Sequence, residues 1–256
     1  MILESAILVE VSLRNRILAG IHPVREALLA GRPIEKVVIA KGAGGLRLQE
    51  IIELCRQSQV PVRFEPRDSL DRTSPGAAHQ GVIAFAAEKR YASAEEIVGR
   101  AQGLVLLDGV EDPHNLGAII RTAHAAGAGG VIIPERRAVG LTEVVAKSSA
   151  GALEHLPVAR VANLRQELNR LKESGYWIYG LDERGSLDYD QTTYSTPTAF
   201  VLGGEGKGLH EHVRKHCDFL IRIPMAGAIA SLNVSVAAGI VLFEWRRQLR
   251  ARSFKT

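Results

Sequence analysis

Ala199-Phe200-Val201-Leu202-Gly203-Gly204-Glu205-Gly206-Lys207-Gly208 sets the reading of this chain. The first four residues have the length and the apolar, aromatic character of a buried strand, and the glycines after them make a loop rich in accessible amides. A second segment repeats the plan. Phe219-Leu220-Ile221-Arg222-Ile223 reads as a strand and Pro224-Met225-Ala226-Gly227 as its loop. Ser231-Leu232-Asn233-Val234-Ser235 then opens a helical stretch from Leu232 to about Arg250, which either Ser231 or Asn233 is able to cap. Two strands that each deliver a loop to one end predict an open α/β sheet, whose ligands bind in the crevice at the carboxyl ends of the strands.

Upstream the alternation continues. Strands are expected at Leu104–Leu107, Gly130–Ile133, Leu156–Val161 and Trp177–Gly180, with helices over Leu116–Ala126, Thr142–Ser149 and Leu164–Glu173. This order predicts a mainly parallel sheet covered by helices on both faces. Residues 17 to 88 form a separate small α/β pattern, with helices at Pro23–Leu29 and Leu46–Gln57 and strands at Lys36–Ala40, Val62–Phe64 and Gly81–Ala86. Between the two patterns the chain turns polar and loses its periodicity. The expected organisation of the 256 residues is therefore an N-terminal domain over 17–88, a linker over 89–99 and a second domain over 100–250.

Composition narrows the class. The net charge is +4, and Arg246, Arg247, Arg250, Arg252 and Lys255 follow the last acidic residue, Glu244. That tail suits an RNA contact or a solvated helix end equally well. Two cysteines, Cys55 and Cys217, imply no disulfide framework and point to a reducing, cytoplasmic setting. No apolar run reaches the roughly 18 residues of a membrane span. The apolar start Met1–Glu10 is broken by Glu4 and Glu10 and lacks the basic opening of a signal peptide, so no membrane partner is expected.

A third segment carries chemistry: Asp108-Gly109-Val110-Glu111-Asp112-Pro113-His114-Asn115-Leu116-Gly117-Ala118-Ile119-Ile120-Arg121. Asn115 is placed to cap the helix, and Arg121 follows six residues later. Alone, the two read as an ordinary cap and an ordinary surface arginine. Generic nucleotide motifs do not fit the glycine loop. A phosphate-cradling Walker loop needs Ser or Thr after its Gly-Lys pair, where this chain has Gly208. A dinucleotide fingerprint needs Gly-x-Gly-x-x-Gly, whereas Gly204, Gly206 and Gly208 alternate.

Together and in this order, the three segments resemble the SpoU/TrmH branch of the SPOUT RNA methyltransferases. Asn115 and Arg121 match the first family motif, Gly203 to Gly208 with Glu205 the second, and Ile223 to Gly227 with Ser231 to Ser235 the third. Gly20-Ile21-His22-Pro23-Val24-Arg25 and His79-Gln80-Gly81 look like the opening and closing pieces of the family's N-terminal substrate-binding domain, which is similar to a ribosomal-protein RNA-binding fold. That two-domain form is typical of members that methylate a guanosine 2′-hydroxyl in 23S rRNA.

The resemblance implies a fold, a cofactor and a set of roles. The fold is α/β, with a C-terminal SPOUT domain tied in a trefoil knot, an exception to the rule against threaded chains. The cofactor is S-adenosylmethionine, held by Leu202, Gly203, Gly206, Ile223, Met225 and Leu232. The catalytic set is Arg121, Asn115, Glu205, Ser231 and Asn233. RNA contacts fall to His22, Arg25, His79 and Gln80, although either histidine also reads as a packed or capping residue. Arginine stays protonated in proteins, so Arg121 is expected to stabilise a developing alkoxide and grip a phosphate, leaving proton removal to phosphate, water or Glu205. A homodimer is implied, for which Val234, Ala237, Ala238, Val241 and Leu242 make an apolar stripe that is equally suited to the core. His210, His212, His216 and Cys217 raise a zinc reading, but a polar helix explains them more simply, and no metal is expected.

Overall fold

A computed structural model describes residues 17–99, 101–206, 208–228 and 231–253; Met1–Glu10, Lys207 and Lys255 lie outside the described residues. The chain divides into two compact units.

The first unit runs to Arg90 and also takes in Leu141–His155. Up to Arg90 its elements are β1 (Ile17–Ala19), α1 (Ile21–Leu29), β2 (Ile34–Ala40), α2 (Leu46–Gln57), β3 (Val62–Glu65), α3 (Arg67–Thr73) and β4 (Val82–Ala86), and Leu141–His155 adds two short helices, Glu143–Ser148 and Ala152–His155. The sheet order is β1-β4-β2-β3, with β4 antiparallel to both neighbours and β2 parallel to β3. Ile17, Ala19, Val38, Ala40, Leu70 and Ile83 close one core. Neither β1 nor α3 is expected from periodicity: β1 is only three residues long, and α3 buries Leu70 as its one core residue.

Leu141–His155 was expected to serve the second domain, yet charge ties it to the first unit. The Glu154 carboxylate accepts from Arg32 Nη1 at 2.8 Å and Lys89 Nζ at 3.3 Å, while His155 Nε2 lies 2.8 Å from Glu26 Oε2. Gly151 sits so close to α1 that a Cβ there would lie 2.3 Å from Cγ of Glu26.

The second unit contains α4 (Ala94–Val98), β5 (Gly103–Asp108), α5 (Pro113–Ala126), β6 (Val131–Pro134), β7 (Val158–Val161), α6 (Leu164–Glu173), β8 (Trp177–Leu181), β9 (Leu187–Asp188), β10 (Thr198–Gly203), α7 (Glu211–Arg214), β11 (Phe219–Arg222) and α8 (Val234–Ser253). Its sheet runs β7-β6-β5-β10-β8-β11-β9, and every neighbouring pair is parallel. The expected parallel sheet is therefore present. Leu104, Leu106, Ile132, Ile178, Ala199 and Val201 from its central strands pack with Leu168 and Leu171 of α6. Because parallel strands are buried on both faces, β5 and β10 read as unbroken apolar runs.

Three expectations need correction. The stretch after residue 88 is not all linker: Ser93 and Glu96 form a capping box that starts α4. Asn115 is not the cap of α5. Asp112 accepts from the backbone N of His114 at 2.8 Å and Pro113 takes the first helical position, so the helix begins two residues before Asn115. The stripe Val234, Ala237, Ala238, Val241 and Leu242 is buried within the chain, where α8 packs on α5, and is not a free dimer face. Instead α8 exposes Val236 and Phe243.

Candidate active site

The carboxyl ends of β8, β10 and β11 surround a cleft of about 450 Å³. Leu202, Gly203, Gly206, Ile223, Met225 and Leu232 all line it, together with Glu205, Ser231 and Asn233. Glycine is required where the loop turns back on itself. A Cβ on Gly203 would lie 2.1 Å from the carbonyl carbon of Gly208, and one on Gly204 only 2.0 Å from the carbonyl oxygen of Gly109. Gly206 and Gly208 also adopt left-handed backbone, at φ 74° and 61°.

At the lip of the cleft three side chains from three separate segments join. Asn115 Nδ2 donates to Glu205 Oε1, Asn233 Nδ2 donates to the same oxygen at 3.1 Å, and Asn233 Nδ2 lies 3.0 Å from Asn115 Oδ1. Asn233 has a second task. Its Oδ1 accepts from the backbone N of Ser235 at 2.9 Å and from Ser235 Oγ at 2.6 Å, which caps α8. Asn115 is buried, so its amide must find such partners. Among the described residues Glu205 Oε2 has no hydrogen-bond partner.

Arg121 does not join this cluster. It projects from the exposed face of α5, and among the described residues it has no ion-pair partner. Six residues separate it from Asn115, a rise of roughly 9 Å with a third of a turn between the two side chains.

Sequence reasoning missed one wall of the cleft, Leu181, Asp182, Glu183 and Arg184 at the end of β8. Asp182 is buried and held by Arg184 through Nε at 2.8 Å and Nη2 at 2.9 Å. These bonds from the guanidinium keep its carboxyl below the usual carboxylate range. The available signal was the strand ending in a polar Asp182-Glu183-Arg184 turn on the same sheet edge as the glycine loops.

Among the RNA-contact residues, His79 must be reassigned. It is buried, Nδ1 accepts from the backbone N of Gly81 at 3.0 Å, and Nε2 lies 2.9 Å from Asp71 Oδ1. Its two ring nitrogens therefore pin the turn before β4. Gln80 adopts φ 52° and its Oε1 accepts from the backbone N of Ile21 at 3.1 Å, which places it beside exposed His22. Arg25 is half-buried and donates through Nε to Glu50 at 2.7 Å. Its hydrogen bonds to Glu50 and then to Glu26 raise its pKa above the ordinary arginine value.

Two of the histidines behind the zinc reading have other ring partners. His210 pairs with Asp108, and His216 Nδ1 lies 2.7 Å from the backbone oxygen of His212. Burial pushes the Cys217 thiol up to about 12. Among the described residues no group of His, Cys, Asp and Glu is placed to hold a metal ion, and no helix is long and apolar enough to cross a membrane.

Comparison with known proteins places this geometry. Residues 102–243 match the SpoU rRNA Methylase family, and residues 17–92 match the RNA 2′-O ribose methyltransferase substrate-binding family. The chain belongs to the SpoU rRNA methylase family. YacO of Bacillus subtilis, named for the TrmH family of tRNA/rRNA methyltransferases, is 43% identical over 235 residues, covering 90% of this chain and 94% of its own. The AdoMet-bound rRNA methyltransferase of Sinorhizobium meliloti shares the fold with a TM-score of 0.77 at 28% identity, over 91% of this chain and 87% of that one. The SpoU methyltransferase AviRb of Streptomyces viridochromogenes, solved with AdoMet, superposes with a TM-score of 0.78 at 27% identity, over 92% and 90%. The SpoU cleft of this chain has the chemistry such a cofactor needs. Met225 and Leu232 leave over a third of their surface exposed on its walls, apolar faces that suit a purine.

Proposed function

We propose that this SpoU-family RNA methyltransferase transfers a methyl group from S-adenosylmethionine to the ribose 2′-hydroxyl of a guanosine in 23S rRNA. The observation that carries the reading is the Asn115–Glu205–Asn233 cluster at the lip of the cleft, built from all three motif segments. When bound, S-adenosylmethionine supplies an electrophilic methyl on a sulfonium. Leu202, Ile223, Met225 and Leu232 then hold the adenosine face, and the glycine loop offers its amides. Asn115 and Asn233 fix Glu205 through Oε1, so that Oε2 accepts the hydrogen of the attacking hydroxyl. Holding that oxygen in line contributes several kcal/mol to the rate. Ser231 lines the same lip and orients the ribose.

Arg121 stabilises the developing alkoxide and grips the neighbouring phosphate. Since it lies apart from its own chain's cluster, a second copy of the chain supplies it. The exposed Val236 and Phe243, seven residues apart on one face of α8, are the apolar contact of that homodimer. Residues 17–88 capture RNA in the cytoplasm through His22, Arg25 and Gln80. The trefoil knot belongs to the same reading, supported by β10 lying between β5 and β8, its neighbours from earlier in the chain.

The test is incubation with radiolabelled S-adenosylmethionine and undermethylated 23S rRNA or tRNA, followed by mapping of the modified nucleotide. Label in a 23S guanosine ribose is expected. Label confined to tRNA would move the enzyme to a related substrate, and label on a base would overturn the 2′-hydroxyl assignment. The role of Arg121 has its own test in single-turnover rates of Arg121→Lys against pH. A rate that climbs through a lysine-like ionisation would make this side chain the base.

A further inference from the structure

The other half of the same sheet edge holds a second cavity, of about 310 Å³, at the carboxyl ends of β5, β6 and β7. Its walls carry Arg136, Arg137, Arg165, His210 and His212, and among the described residues Asp108 is the one acidic lining residue. That single negative charge is already engaged. Asp108 Oδ2 accepts from the backbone N of His210 at 2.8 Å, and Oδ1 lies 3.0 Å from His210 Nδ1. The far side of the imidazole, Nε2, is 3.4 Å from Arg137 Nη1, so Asp108 acts through His210 to orient a guanidinium. Arg137 adopts a left-handed backbone, φ 58°, a conformation that residues other than glycine adopt rarely and that recurs at ligand clamps. Arg136 and Arg165 are exposed, and neither has an acidic partner among the described residues.

Three guanidiniums converge on one cavity with almost nothing to neutralise them, which is the chemistry of a phosphate site. The cavity adjoins the cleft. Asp108 and Gly109 form its floor, and Gly203 and Gly204 across the strand pair face the cleft, with Gly204 N donating to Asp108 O at 2.8 Å.

We propose that this cavity binds a backbone phosphodiester of the substrate RNA flanking the nucleotide presented to the cleft. The inference rests on the RNA methyltransferase reading above. The site is distinct from the N-terminal domain and from the cofactor loops, and its ligand is an RNA phosphate. Arg136 and Arg165 bind it directly. His210 is a positioning residue for Arg137.

The test compares the full chain with the double variant Arg136→Ala/Arg165→Ala, both at exposed positions. The probe is a fluorescein-labelled single-stranded RNA of mixed sequence, titrated between 50 and 200 mM salt. Losing two phosphate contacts flattens the slope of log K against log salt by about 1.4 and weakens binding on the order of tenfold at the low-salt end. KM for RNA rises with kcat unchanged, S-adenosylmethionine affinity by calorimetry is preserved, and Arg136→Lys/Arg165→Lys restores the slope. A double variant with the wild-type slope and affinity overturns the subsite while leaving the methyltransferase reading intact. A variant that loses inorganic phosphate binding but keeps RNA binding also overturns it, because the cavity is then a free-anion site. Wild-type protein that takes up no RNA sinks both this inference and the function on which it rests.

Discussion

The two halves of one sheet edge end differently. Strands β8, β10 and β11 stop in glycines, apolar side chains and an internally paired acid, whereas β5, β6 and β7 stop beside three arginines and two histidines. The fold is continuous across both, with every neighbouring strand pair parallel. What differs is the kind of recognition. One half works through backbone approach and shape, so it needs glycine; the other works through side-chain charge, so it tolerates bulk but not neutralisation.

The comparison is broken most severely at Gly203. A Cβ there meets the Gly208 backbone at 2.1 Å, a contact that no rotamer change relieves. Gly203→Ala is expected to cost up to about 3 kcal/mol, roughly 100-fold in S-adenosylmethionine affinity by calorimetry. Phosphate or RNA uptake by the cationic cavity should be altered far less. Equal loss on both sides would show that the two halves are one site.

Asn233→Ala removes a helix cap and two donated hydrogen bonds together. Losing the cap alone destabilises by about 1 kcal/mol, read as a fall in Tm. Turnover should drop further than Tm implies, because Glu205 is left with Asn115 alone. Ser235→Ala removes only the Oγ bond to Asn233 and spares both the backbone cap and the cluster, so it should leave kcat and Tm nearly unchanged.

Acidity sharpens the contrast by a smaller margin. The Arg184 guanidinium depresses the Asp182 carboxyl, so the pair adds stability above the ordinary aspartate range and loses it as pH falls through the depressed value. Cofactor affinity should stay level from pH 8 to pH 5 and weaken only below about pH 4. Asp182→Asn should weaken binding across the whole range. The smallest effect concerns Cys217, whose sulfur packs against Gly180 of β8 behind the cleft and whose thiol burial pushes up to about 12. In the folded protein it should resist a thiol reagent at pH 8 and react once denatured. Rapid labelling in the native state would mean that this half of the edge opens.

The sequence exposes the first half of the edge far better than the second. Glycine loops after apolar runs are local patterns, so Gly203, Gly206, Ile223, Met225 and Leu232 could be named without coordinates, and all of them line the cleft. The cationic cavity was hidden because Asp108, Arg136, Arg165 and His210 come from four separate stretches that only the strand order brings together. Asn115 shows the same limit in miniature. Its place in a cap pattern looked sufficient, but Pro113 and Asp112 already start the helix, and its real partners lie 90 and 118 residues away. His79 fails in the other direction, since a histidine beside a family motif carries no mark of burial.

The ties of Glu154 to Arg32 and Lys89 have a practical consequence for dissecting the protein. The N-terminal unit is discontinuous, so a gene fragment that ends after the substrate-binding match at residue 92 would omit the carboxylate that neutralises a nearly buried guanidinium. Stranding such a charge costs about 3–5 kcal/mol, a large share of what a domain of this size has in reserve. Truncation studies should therefore graft Leu141–His155 back onto the fragment, or replace Arg32 with an apolar residue, before concluding that the piece cannot fold alone.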